Sequence, residues 1–248
     1  MKAHQCISSG VIRIMSARQI LDDRAAATVG RLHALSDSQF RATAIPYVLG
    51  TLMNRLRGNR SDFTQSAKGK AVLRDKLVAL DVEKAELCYL LCRSLNARRV
   101  VEAGTSFGVS TIYLAAAVRD HIAAQGGTGT VIGTEHEPTK AEAARKNFAD
   151  AGVADFVDLR EGDLRETLKD VGGPVDFMLV DIWIPMARPA LELVTPRLRP
   201  GAIVMCDNVV QFAREYADYL GFVRDPAKGF RSMTLPFKGG VEMSVWVG

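Results

Sequence analysis

The chain has 248 residues, 48% of them hydrophobic, with 32 basic side chains against 28 acidic ones for a formal net charge of +4. That length holds one large domain, or one with an extension, and the balanced charge is not the footprint of a nucleic-acid binder. Cys6, Cys88, Cys92 and Cys206 lack both zinc-site spacing and the density of a disulfide scaffold, so they read as reduced thiols of a cytoplasmic protein; no run approaches the ~18 apolar residues of a membrane span.

In chain order, residues 11–15 are interrupted by Arg13 and too short for a signal-peptide core. Residues 16–35 and 37–56 carry apolar side chains at helical intervals, with Ser36 and Asp37 as break and cap. Residues 57–70 are polar and glycine-bearing, a linker. Around it lies the basic cluster Arg55, Arg57, Arg60, Lys68 and Lys70, read as a solvated loop rather than a contact for RNA or an acidic substrate. Residues 1–70 thus form an N-terminal helical extension and linker, and residues 71–248 the main domain. A helix over 71–95 puts Cys88 and Cys92 on one face as small buried residues.

From residue 98 the pattern changes. Strand-length apolar runs near 98–103, 129–135, 155–160, 175–181 and 201–206 alternate with helices, which implies right-handed crossovers and a mainly parallel sheet covered on both faces. Residues 230–236 and 241–247 flank Gly239 and Gly240 and predict a C-terminal antiparallel hairpin, bringing the sheet to seven strands.

The most informative stretch is 100–110, V-V-E-A-G-T-S-F-G-V-S, a buried strand running into a glycine turn and then a helix. Its E-x-G-x-x-x-G spacing is not the G-x-G-x-x-G of dinucleotide binders, and no P-loop occurs. Glu102 would repel a diphosphate and attract an ammonium group. Ligands of open parallel sheets sit beyond the carboxyl ends of the strands. Together with Thr134-Glu135-His136-Glu137-Pro138, the stretch resembles the S-adenosylmethionine (SAM) dependent methyltransferases, and more narrowly the cation-dependent O-methyltransferases that include the catechol and caffeoyl-CoA enzymes. The likeness covers about residues 80–248 and implies a Rossmann-like class I methyltransferase fold of α/β type.

The resemblance implies roles residue by residue. Glu102 accepts from the SAM ammonium, while the backbone from Gly104 through Phe107 to Gly108 and the hydroxyls of Thr105, Ser106 and Ser110 meet its methionine part. Glu135 takes the ribose hydroxyls. Glu137 competes for that role but also reads as a first-turn acid of the helix opening at Pro138. Asp163 sits where the family contacts adenine, and alone would read as a helix cap. Trp183 packs against the cofactor or in the core, and His136, Lys228 and Phe230 lie in segments that could border the acceptor.

Asp181, ending the fourth strand, and Asp207 with Asn208, ending the fifth, form an oxygen donor set suited to magnesium or another divalent cation. In the resembled family that ion polarises a small catechol-like, diol or phenolic acceptor, which makes Asp181 a catalytic residue, and the enzyme is expected to be a homodimer. One departure stands out: the family's general-base lysine, three positions after the fourth-strand Asp, is Ile184 here. That leaves open a metal-independent methyltransferase on another N or O acceptor, and a SAM-binding protein without catalysis.

Overall fold

A computed structural model describes residues 20–56 and 76–248. Cys6, the expected linker at 57–70 and the beginnings of the helices expected at 16 and 71 lie outside them. Helix α1 (Asp23–Leu56) runs unbroken for 34 residues, where two helices were predicted. The predicted break fails because the Ser36 hydroxyl is engaged across the chain. It donates to the Leu77 carbonyl at 3.1 Å and accepts the Ala79 N–H at 3.2 Å, so it caps no new helix. Helix α2 (Val82–Ser94) begins later than expected, because residues 76–81 lead into it without regular structure.

Strand β1 (Arg99–Ala103), helix α3 (Val109–Gln125), β2 (Thr130–Glu135), α4 (Pro138–Ala151) and β3 (Val157–Glu161) follow. Next come the short α5 (Leu164–Thr167), β4 (Val175–Val180), α6 (Ala187–Val194), β5 (Leu198–Asp207), α7 (Ala217–Arg224) and the hairpin β6 (Phe230–Leu235) and β7 (Val241–Trp246). The sheet order is β3-β2-β1-β4-β5-β7-β6. Strands β1 to β5 pair in parallel, and β7 runs antiparallel between β5 and β6, as the alternating pattern and the glycine turn predicted.

Successive strand residues feed opposite layers, as a period of two requires. Val100, Val131, Phe177, Leu179, Ile203 and Met205 join α1 to α4 in one core. Val101, Ala103, Ile132, Met178, Val180 and Val204 join α5, α6 and α7 in the other. Residues 109–118 of α3 are buried on every side, which explains their unbroken apolar character beneath α1 and α2. Cys88 and Cys92 belong to this core, and burial pushes both thiols up from their ordinary range, as small apolar residues rather than ligands.

The order reverses between β1 and β4, so the crevice of a doubly wound sheet opens above their carboxyl ends. Two glycines there are required by geometry. At Gly104 (φ 99°) a Cβ would collide with the Asp181 carbonyl oxygen, and at Gly108 (φ 84°) with the Phe148 ring. Phe148 is almost wholly buried, a contribution of about 1.5–3 kcal/mol, and it wedges the first turn of α3 against α4.

Candidate functional site

Glu102 emerges at the end of β1, completely buried. Its Oε2 accepts from the Thr105 hydroxyl at 3.1 Å and from the Thr111 hydroxyl. Its Oε1 has no partner although it is buried. Burial raises its pKa, the neighbouring hydroxyls of Ser110, Thr111 and Thr105 pull it back, and the charge of Glu135 adds to the rise. An orphaned buried carboxylate oxygen costs roughly 1–3 kcal/mol or more and is matched by an incoming cationic donor. An amino-acid ammonium fits that oxygen.

Glu135 closes β2. Its Oε2 accepts the Ser106 N–H at 2.7 Å and its Oε1 the Glu137 N–H at 2.8 Å, so the carboxylate staples the β1 turn to the start of α4. Each oxygen keeps a second lone pair for a hydroxyl. Ser106 is held at φ 51°, an uncommon conformation for a serine, costing on the order of 1 kcal/mol. The Glu137 side chain makes no cap hydrogen bond to α4, although its residue occupies the N-cap position.

Asp163 caps α5 by accepting the Arg165 N–H at 2.9 Å and pairs with the Arg165 guanidinium, whose hydrogen bonds hold its carboxyl down at about 2. The Gly162 N–H donates to the Glu135 carbonyl at 2.9 Å, which keeps this turn beside the β2 end.

Asp181 and Asp207 follow paired positions, Val180 and Cys206, on adjacent parallel strands, so they stand side by side. Burial first, then the charges of Asp207 and Glu102, push the half-buried Asp181 carboxyl up to about 7, with Lys84 pulling the other way. Trp183 is 42% exposed in the following loop and so is no core aromatic. Ile184 packs against the second core, and Phe230 is buried within it, against Trp246.

Lys84, in the first turn of α2, was not among the residues singled out from sequence. Its side chain is 3% exposed. The ammonium donates to both Asp207 oxygens, at 2.7 and 3.0 Å, and pairs with Asp81 Oδ2 at 3.1 Å. Burial opposes the lysine's charge, but Asp207 and then Asp81 prevail and hold its pKa above the ordinary value. For Asp207, burial raises the carboxyl pKa while Lys84 and the Asn208 N–H, donating at 2.7 Å, lower it.

This arrangement bears on the expected metal set. Both Asp207 oxygens already carry an ammonium, and Asn208, at φ 63°, lays its Oδ1 against Gly239, where a Cβ would meet it at 2.8 Å. Among the described residues no cluster of three or more His, Cys, Asp or Glu side chains is placed to hold a metal ion. A divalent ion on Asp207 would sit within a few ångströms of a lysine that the same oxygens hold charged, so the donor set does not fit it as arranged. The SAM-directed set does fit, on the unpaired Glu102 oxygen.

Residues 101–209 match a family described as "Methyltransferase domain". Over 135 residues the chain is 34% identical to the catechol O-methyltransferase of Mycobacterium tuberculosis, covering 54% of this chain and 58% of that protein. It is 27% identical over 138 residues to that of Niastella koreensis, covering 54% and 59%. The match thus spans less than two thirds of these relatives. Among solved structures, cofactor-bound Rv0187 from MTB aligns with a TM-score of 0.62 at 27% identity, over 68% of this chain and 82% of that one. An O-methyltransferase from Bacillus cereus in complex with SAH aligns at 0.61 and 23% identity, over 72% and 87%, a likeness of fold.

Proposed function

We propose that the chain, which is similar to O-methyltransferases of the caffeoyl-CoA and catechol type, is a SAM-dependent O-methyltransferase acting on a small phenolic or catechol-like acceptor. The observation that carries the reading is the buried, unpaired Glu102 Oε1 at the head of the glycine turn. Glu102 binds the ammonium of SAM, the turn from Gly104 to Gly108 follows its methionine part, and Glu135 takes the ribose. Held there by these residues, SAM would supply a sulfonium methyl group for transfer to the acceptor oxygen, with the C–S electron pair left on sulfur. Asp181, near neutrality at the end of β4, accepts the proton that the acceptor hydroxyl gives up, a task for which Ile184 has no group. The rest of the rate comes from holding oxygen and methyl carbon in line.

The divalent-cation-assisted form of this reading finds no support in the donor set of Asp181, Asp207 and Asn208, and no step is routed through an ion. A SAM-binding role without catalysis is favoured by the isoleucine at 184 alone. A homodimer through α1 and α2 would cover the exposed Leu35 and Leu90, and sedimentation would report it. Among the described residues no helix is long and apolar enough to cross a membrane.

The test is transfer of labelled methyl from SAM to a panel of catechols and monophenols, with S-adenosylhomocysteine (SAH) affinity measured alongside. Transfer to a phenolic oxygen supports the reading. Tight SAH binding with no transfer to any acceptor favours the binding role, and absence of SAH binding overturns both.

A further inference from the structure

We infer that the ammonium of Lys84 is the built-in cation of the acceptor site, seated on Asp207 where a divalent ion would otherwise bind, with the N–H now on Asp81 available to an acceptor oxygen. The inference rests on the methyltransferase reading for the acceptor, but not for the displacement of the metal.

An ammonium has three hydrogens in fixed directions. Two go to the oxygens of Asp207, a residue only 5% exposed, and this buried pair is permanent because separating it would strand a charge. The third goes to Asp81, whose side chain is 44% exposed. Asp81 holds the N-cap position of α2, yet its side chain makes no cap hydrogen bond to the helix. The Asp81 carboxylate is half-exposed and can turn to water, so an incoming oxygen can replace it on Lys84 without disturbing the buried pair. Lys84 therefore offers one positive donor beside Asp181, where negative charge develops on the attacked oxygen.

The chemistry differs from that of an ion. A divalent cation chelates two neighbouring oxygens, whereas a lysine is a point charge that holds one. Acceptors with a single phenolic hydroxyl thus satisfy the site as well as vicinal diols.

The test titrates the ligand-free protein with magnesium and manganese chlorides, against sodium chloride at matched ionic strength, following thermal unfolding. Wild type is expected to show no metal-specific shift. Lys84→Met, or Lys84→Gln if the methionine variant is not recovered folded, is expected to gain a shift of about 3 °C or more at tenfold over its Kd. Asp207→Asn in the same background should abolish it. A saturable metal shift in wild type overturns the inference, and so does a lysine variant as silent as wild type. SAH affinity, read by calorimetry on the same wild-type protein, reports the cofactor site separately, so its loss counts against the proposed function and not against the seated lysine.

Discussion

The two halves of the crevice solve the burial of acid in opposite ways. On the β1–β2 side, Glu102 and Glu135 are held by hydroxyls and backbone N–H groups, neutral donors that leave the charge in place and one oxygen unspent. On the β4–β5 side, Asp207 meets a full positive charge from another element on both of its oxygens. Neutral donors make a receptor that waits for a cation, while a buried ion pair makes a site that already contains one.

The contrast breaks most visibly at Lys84. Lys84→Met should destabilise the protein by about 3–5 kcal/mol, because it strands the Asp207 carboxylate, and the double change with Asp207→Leu should recover most of that in urea unfolding. A loss under about 1 kcal/mol for the single variant would mean that the pair is not buried in solution.

Glu102→Gln should lower SAM and SAH affinity about 10- to 100-fold by calorimetry, as expected for a charge-assisted bond of ~1.5–3 kcal/mol, without loss of thermal stability. Unchanged affinity would remove the ammonium from Glu102. Glu135→Gln should have a smaller effect, about tenfold in affinity, since the amide oxygen still accepts one backbone N–H and the ribose contact is neutral.

The smallest effect concerns pH. The Asp181 carboxyl is pushed up to about 7 in the folded protein from its ordinary 3.8, so folding takes up a proton between those values. Its contribution to stability is complete below about pH 4 and is lost as pH rises through 7. The ligand-free protein should unfold more easily at pH 8 than at pH 6, and Asp181→Asn should flatten that part of the profile. An unaltered profile in the variant would place the Asp181 carboxyl in water.

The strand-turn-helix unit on the β1 side was legible in sequence because its determinants are local. Glu102, the glycines and Thr105 lie within that one unit, whereas the Thr111 hydroxyl on Glu102 emerged only from the structure; fully buried parallel strands read as apolar runs with ends good to a few residues. Strand β5 starts three residues before its expected position because Pro200 and Gly201 look like a turn yet sit inside it. Lys84 was invisible for the opposite reason. In V-E-K-A-E-L-C it reads as the polar face of a helix, and its buried partner lies 123 positions away. The unbroken α1 escaped similarly, since the Ser36 hydroxyl bonds to residues 77 and 79.

The chain has two tryptophans, and they sit in opposite surroundings. Trp246 packs edge-on against Phe230 at 4.8 Å between centroids, whereas Trp183 stands in the open two residues beyond Asp181. Intrinsic fluorescence therefore divides into a constant background and a responsive emitter at the site's rim. With Trp246 replaced by Phe, quenching or a blue shift of the remaining emission would time the arrival of each ligand in a stopped-flow instrument, without a label.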